Sequence, residues 1–191
     1  MTLADLDAIK SRISRAFSVV QDASGPGYET AYQAPGTDFT TNFRAIGVKA
    51  PEQIEDDFLN LFIWTWSLKD HLKECFDTTG LNGKVVEEEV NRCRALAYVS
   101  DIANRAKHGV LSKSRSGEFA ELVDVGFNAP LEAIERISVA GPEVTLQIKD
   151  PAAIQIHAAV ITRSGARLDA LAVLKEAMQF WETRVLSQIA A

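Results

Sequence analysis

Cysteine, histidine and long apolar runs are scarce in this chain of 191 residues, and each scarcity excludes a class of protein. The two cysteines, Cys75 and Cys93, form no CxxC pair and lie near no histidine at ligand spacing, so we predict buried reduced thiols and no metal site. The most apolar run, Phe58–Trp66, is less than half of the roughly 20 residues that a membrane span needs. Acidic residues near the N-terminus argue against a signal peptide. The sequence therefore predicts a cytoplasmic protein with no membrane contact.

Familiar catalytic signatures are missing as well. The chain has no phosphate-cradling glycine loop, no G-x-S-x-G motif and no HExxH motif, and we predict no cofactor. Three consecutive acids, Glu87–Glu89, point in different directions around a predicted helix. We therefore predict that they form a solvated face and not a pair of catalytic carboxylates.

The bulk composition is that of an ordinary globular protein. Apolar residues make up 47% of the chain and charged residues 24%, which argues against disorder of the whole chain. The length suits one domain with a substantial core, so we predict a single domain over residues 1–191. The formal net charge of −6 repels polyanions, and any contact with nucleic acid must therefore come from a local basic patch.

Four segments place apolar residues at steps of three and four, a spacing that predicts helices. They are Leu3 to about Gln21, Pro51 to about Thr78, Lys84 to about His108, and Leu168–Ile189. The stretch 22–50 is rich in glycine but also holds the aromatic residues Tyr28, Tyr32, Phe39 and Phe43. We predict that this stretch is irregular and packs across the helices, and a lid over a site is the alternative.

Apolar and polar residues alternate between about residues 121 and 162, and this alternation is typical of strands. Val144, Leu146 and Ile148, for example, are separated by polar residues. The sequence therefore predicts an α+β fold that is mainly helical. Its four-helix bundle-like core would carry a small antiparallel β-sheet inserted before the last helix.

The stretch Asp101–Arg115 concentrates polar groups at the end of the third predicted helix. Asp101, Asn104 and His108 recur at steps of three and four and share one helix face, and Gly109 ends the helix. The cationic residues around this end are Arg105, Lys107, Lys113 and Arg115. Three interpretations stay open, namely a C-terminal helix cap, a site that collects a phosphate or an RNA backbone, and a catalytic histidine.

The residues DIANRAKH at 101–108, the preceding Cys93, the β segment that follows and the closing AMQFWETRV resemble a group of uncharacterised bacterial and phage proteins. Those proteins share a D-[IL]-[AC]-[ND]-x-x-K-H helix end, an inserted sheet and an aromatic last helix. The resemblance covers about Phe58 to Leu186. It implies the fold and the site and carries no activity.

The same helix end is more loosely similar to the HEPN helical bundles, many of which are ribonucleases of toxin and defence systems. Asn104 and His108 match the polar residue and the histidine of their motif. The arginine of that motif would fall at position 101, 102 or 103, which here are Asp101, Ile102 and Ala103. Several members of that superfamily bind without catalysis, and this chain resembles those members more closely.

These observations lead to one predicted function and two alternatives. We predict a binding module that recognises RNA or another anionic partner through the 104–115 surface. Its binding residues would be Asp101, Arg105, Lys107, Lys113 and Arg115. The first alternative is a HEPN-like, metal-independent ribonuclease in which His108 is catalytic, Asn104 orients it, and Arg105 or Arg115 supplies the cation. The second is a non-catalytic interaction protein that forms a homodimer, with the aromatic 22–50 segment as the contact.

Overall fold

The computed structural model describes residues 3–33, 35–36 and 38–189, in which two runs of strands lie between helical segments. The helices are α1 (Leu3–Gln21), α2 (Pro51–Thr78), α3 (Lys84–Val90), α4 (Arg94–His108), α5 (Ala170–Phe180) and α6 (Ser187–Ile189). The strands are β1 (Tyr28–Gln33), β2 (Thr40–Ile46), β3 (Glu121–Asn128), β4 (Ile134–Ala140), β5 (Glu143–Ile148), β6 (Gln155–Ile161) and β7 (Arg167–Asp169). A π-helical segment, Trp181–Leu186, joins α5 to α6. No helix in these described stretches is both long and apolar enough to span a bilayer.

The α+β class is confirmed, whereas the predicted arrangement is wrong. The helices do not form a four-helix bundle, and the strands make two sheets, ordered β1-β2-β5-β4 and β3-β6-β7, instead of one small sheet before the last helix. β2 pairs in parallel with β5, so the larger sheet is mixed and not antiparallel. In this pairing Asn42 of β2 lies opposite Glu143 of β5. A pairing between segments so far apart leaves no mark in local periodicity, because periodicity reports only which face of a segment is apolar.

Strands β1 and β2 occupy much of the segment that we predicted to be irregular. Glycine led to the wrong prediction here, because Gly27 marks a close approach of two backbone segments of this chain and not a lack of structure. Gly27 has a φ of +100°, and a Cβ atom there would lie 2.3 Å from the carbonyl oxygen of Ala45. Only glycine fits this position without strain, and the hairpin of β1 and β2 starts from it.

The described residues group into two compact units, each with its own core. The first contains the chain up to Ser18, Asp57–Asp124 and the chain from Ala158 onward, and the second contains Val19–Asp56 and Val125–His157. The largest buried side chains of the first unit come from its helices and include Phe58, Leu61, Phe62, Leu72, Leu96 and Trp181. The core of the second unit lies against the larger sheet and includes Ala23, Ala45, Val48, Ala133, Ile148 and Ile154.

The helix predicted over residues 84–108 is broken into α3 and α4. The N–H groups of Arg92 and Cys93 donate to the carbonyl oxygens three residues earlier, at 2.9 and 3.1 Å, and these bonds tighten the end of α3. Cys93 is then extended, with a φ of −110°, and α4 begins after it. Both cysteines are buried and unpaired, as predicted.

Candidate anion-binding site

Helix α4 ends where the sequence predicted, and the following loop returns along the same helix. Gly109 has a φ of +74° and donates its N–H to the carbonyl oxygen of Arg105 at 2.8 Å. Arg115 then lies beside Asp101 in the middle of α4, and Glu118 pairs with Arg94 at the start of α4, 3.7 Å away. The loop therefore carries Arg115 away from the helix end that holds Lys107 and His108.

Asp101 anchors this loop from inside the first unit. Its side chain is fully buried, and its Oδ1 accepts the backbone N–H of Arg115 at 2.8 Å. Its Oδ2 accepts the hydroxyls of Ser114 and Ser116, at 2.6 and 2.5 Å, and the backbone N–H of Ala120 at 3.3 Å. A buried carboxylate is stable only when donors replace its lost water, and here four donors do so. Asp101 is therefore an internal anchor of the loop.

The two serine hydroxyls extend this network into the loop backbone. Ser114 Oγ accepts the N–H of Phe119 at 3.1 Å, and Ser116 Oγ accepts the N–H of Glu118 at 2.9 Å. Phe119 adopts a φ of +50°, which a bulky side chain rarely does. The hydrogen bonds thus hold the loop in one conformation on either side of Arg115.

Arg115 directs its guanidinium toward α2 and α3. Its Nη1 lies 3.2 Å from Glu87 Oε2 and donates to Asn91 Oδ1 at 3.0 Å. Its Cζ lies 5.1 Å from the centre of the Trp66 ring, within the range of a cation–π contact. These contacts leave 29% of the side chain exposed, so Arg115 still reaches solvent.

Two lysines of α2 meet the same carboxylate. Lys69 Nζ and Lys73 Nζ each lie 3.2 Å from Glu87 Oε1, and Lys69 also lies 4.7 Å from the centre of the Trp66 ring. We define the Arg115 cluster as the group that these contacts join. Its members are Trp66, Lys69, Lys73, Glu87, Asn91 and Arg115.

The Arg115 cluster carries an excess of positive charge. Three cations face the single carboxylate of Glu87, and the exposed Asp70 adds a second acid 3.3 Å from Lys69. Burial opposes the ionisation of Glu87, but hydrogen bonds from Lys73 and Lys69 outweigh it, and the pKa of Glu87 lies below its ordinary value. Glu87 is therefore ionised at neutral pH, and the cluster still has one uncompensated positive charge.

Lys69, Lys73 and Glu87 were not among the site residues predicted from the sequence. Our prediction of a solvated acidic face is wrong for two of the three glutamates, because Glu87 binds three cations and Glu89 is only 7% exposed. Only Glu88 is exposed as predicted. Helix α3 ends at Val90, directly after these acids, and no local spacing signals which distant cations will meet them.

The other residues of the predicted site do not join the Arg115 cluster. Arg105 Nη2 lies 2.7 Å from Glu121 Oε1, and Asn104 donates its amide to Ser100 Oγ at 3.3 Å. Lys107, His108 and Lys113 are exposed. The predicted cationic group is thus divided into the Arg115 cluster, an ion pair at Arg105, an exposed helix end with Lys107 and His108, and the exposed loop residue Lys113.

The donors of the Arg115 cluster suit a phosphate better than a metal or a reacting carbonyl. Guanidinium and ammonium groups bind phosphate oxygens through charge-assisted hydrogen bonds. Over the parts of the chain that the structure describes, no group of three histidine, cysteine or acidic side chains is placed to hold a metal ion.

Comparison of the chain with protein-family models, with curated protein sequences and with solved structures finds no match.

Proposed function

We propose that this protein binds RNA through phosphate contacts made by the Arg115 cluster. The observation that carries the proposal is the convergence of Lys69, Lys73 and Arg115 on the single carboxylate of Glu87. Each of these three cations shares the Glu87 carboxylate with the other two. A phosphate oxygen near the exposed part of Arg115 would therefore find donors whose charge is not fully compensated.

The local positive charge of the cluster, in a chain of negative net charge, also favours binding of a polyanion. The chain as a whole carries a net charge of −6, so a local positive surface is the only part that attracts RNA. Lys113, exposed two residues before Arg115 in the same loop, adds a further cation. The proposal keeps Arg115 and Lys113 from the predicted surface and adds Lys69 and Lys73 from α2.

The loop network makes Arg115 a rigid recognition group. Asp101 holds the backbone N–H of Arg115, and Trp66 supports its guanidinium from one side. A side chain held in its binding position loses less conformational entropy when a ligand arrives. Lys69, of which only 13% is exposed, is restrained in the same way by its contacts with Trp66 and Glu87.

Arg115→Ala should weaken binding of a labelled single-stranded RNA by about tenfold. A charge-assisted hydrogen bond contributes about 1.5 kcal/mol, and 1.4 kcal/mol is a factor of ten in Kd. Fluorescence anisotropy over a series of salt concentrations should also show the slope of log K against log salt falling by about 0.7, the value for one phosphate contact on a single strand. Arg15→Ala, which removes an exposed arginine of α1, is the control and should change neither quantity. Binding that is absent or insensitive to salt contradicts the proposal.

Glu87→Gln should strengthen RNA binding by about fivefold at neutral pH. The carboxylate of Glu87 competes with phosphate for the three cations. Two unit charges about 4 Å apart interact by about 1 kcal/mol in water, which is the size of the competition that the substitution removes. The neighbouring exposed Glu88→Gln serves as the matched control and should have a much smaller effect. Weaker binding by the Glu87 variant would show that the carboxylate positions the cations and does not compete with the ligand.

The two alternative functions remain predictions with their own tests. A ribonuclease that uses His108 and Asn104 requires RNA cleavage that disappears in His108→Ala, whereas a binding module leaves the RNA intact. A homodimer through the 22–50 segment requires self-association that substitutions in this segment abolish.

A further inference from the structure

One edge of the larger sheet lacks the features that usually protect an edge strand. The order β1-β2-β5-β4 places β4 at the edge, and a bulge between Ile134 and Arg136 interrupts its start. Proteins protect open edges with charges, prolines and bulges. In β4 these features are confined to its first three residues, and Ile137–Ala140 contains neither charge nor proline. The unpaired backbone of this half-strand is thus available to another strand.

The apolar face of the sheet continues to this edge. Val139 pairs with Val144, and Ile137 pairs with Leu146, whose side chain packs on the core of the second unit. At the edge itself, however, Ile137 is 57% exposed and Val139 is 71% exposed. Ile137 and Val139 therefore form the exposed end of an apolar row that is at least partly buried on β2 and β5.

We infer that β4 pairs with β4 of a second copy of this chain, antiparallel and about a two-fold axis through Ser138. Antiparallel partners lie on the same face of a sheet, so this register sets Ile137 opposite Val139 of the second copy. One row then runs from Phe43 through Val144 and Val139 into the second copy, where it continues through Ile137, Leu146 and Ala45. The apolar row that ends in water in one copy is covered in the pair.

Charge on the opposite face selects this register. Arg136, Ser138 and Ala140 share that face, and Ala140 pairs with Glu143 on β5. In the register centred on Ser138, Arg136 of one copy lies opposite Ala140 of the other. Strands are about 4.8 Å apart, so Arg136 and Glu143 of the other copy are separated by about 10 Å between Cα atoms.

An extended arginine side chain spans most of the distance between Arg136 and Glu143 of the other copy. The small side chain of Ala140, which lies between them, does not block it. The guanidinium of Arg136 is held in one copy by a single long hydrogen bond to Gln147 Oε1, 3.4 Å, so it can turn outward. Because the pair has two-fold symmetry, it contains this ion pair twice. A register centred on Arg136 would instead set the two arginines opposite one another, and like charges in that position destabilise a pair of strands.

The test of this pairing is sedimentation velocity of the whole chain over a range of concentrations. We expect a concentration-dependent dimer, and Val139→Lys should weaken it by about tenfold or more because a buried aliphatic contact is replaced by a charge. Val110→Lys is the matched control, since Val110 is 78% exposed and lies outside the sheets, and it should leave the dimer unchanged. Circular dichroism confirms that each variant is folded.

Charge reversal identifies the register. Arg136→Glu and Glu143→Arg should each weaken the dimer, and the double variant should restore it because the ion pair is re-formed with its signs exchanged. A protein that stays monomeric at about 0.5 mM overturns the inference. A dimer that survives Val139→Lys, or single charge variants that the double variant does not rescue, overturns it as well. RNA binding involves none of these residues, so the two proposals stand or fall separately.

Discussion

Replacing Asp101 by asparagine should lower the free energy of unfolding by about 3 kcal/mol and also weaken RNA binding. The carboxylate is fully buried, and its Oδ2 accepts three hydrogen bonds, from Ser114, Ser116 and Ala120. An asparagine amide nitrogen in that place accepts none of them. Each buried donor that loses its acceptor costs about 1–3 kcal/mol, and rotation of the two hydroxyls recovers part of this sum. Urea denaturation followed by circular dichroism measures the change.

The functional consequence of this substitution follows from the loop. The backbone of Arg115 is held by Asp101 Oδ1, so a loosened loop no longer presents the guanidinium to Glu87 and Asn91. We therefore expect the Asp101 variant to bind RNA about as weakly as Arg115→Ala does.

Asp124→Asn is the matched control for this prediction. Asp124 also makes a side-chain contact, an ion pair with Arg167, but that pair is exposed. Exposed ion pairs contribute about 1 kcal/mol or less. If the Asp101 and Asp124 variants lose the same small amount of stability, the four hydrogen bonds of Asp101 do not anchor the loop.

Trp181→Ala should lower the free energy of unfolding by about 4 kcal/mol, because removing a fully buried indole leaves a large cavity. Trp181 begins the π-helical segment, and its Nε1 donates to the carbonyl oxygen of Thr65 at 3.3 Å. Thr65 lies one helical turn before Lys69 on α2. Denaturant titration should show the loss, and Trp181→Phe should show an intermediate loss because the ring volume is partly kept while the hydrogen bond is removed.

Trp64→Ala provides the comparison within the same unit. Trp64 is only half-buried, and its ring contacts the guanidinium of Arg12, whose Cζ lies 4.4 Å from the ring centre. Partial burial and one cation–π contact predict a loss of about 1–2 kcal/mol. Equal losses in the two tryptophan variants would contradict the cavity argument.

Several features of the fold followed directly from local sequence patterns. The helix predicted from Pro51 to about Thr78 is present, and its apolar residues Ile54, Phe58, Leu61, Leu68 and Leu72 are buried. The last helix begins at Ala170 and not at Leu168, which lies in β7, but its apolar residues Leu174, Trp181 and Val185 are buried, and Gly109 ends α4 as expected. These predictions succeeded because the 3.6-residue period and a glycine at a positive φ are properties of a single segment.

The candidate site was predicted only in part, and the reason lies in Asp101 and Arg115. The sequence predicted that both belong to one site, but it did not indicate the direction in which either side chain points. One side chain points into the protein and the other toward α3. Glu87, which determines where Arg115 and the two α2 lysines meet, stands in a run of three acids that is typical of a solvated face.

Local patterns thus established the main helices, their buried faces and the helix end that leads to Arg115. The two sheets, the parallel pairing of β2 with β5 and the meeting of Arg115 with Lys69 and Lys73 came from packing between distant segments. Periodicity states which side of a segment is apolar. It does not state which other segment covers that side, because this choice depends on shape and charge complementarity over the whole chain.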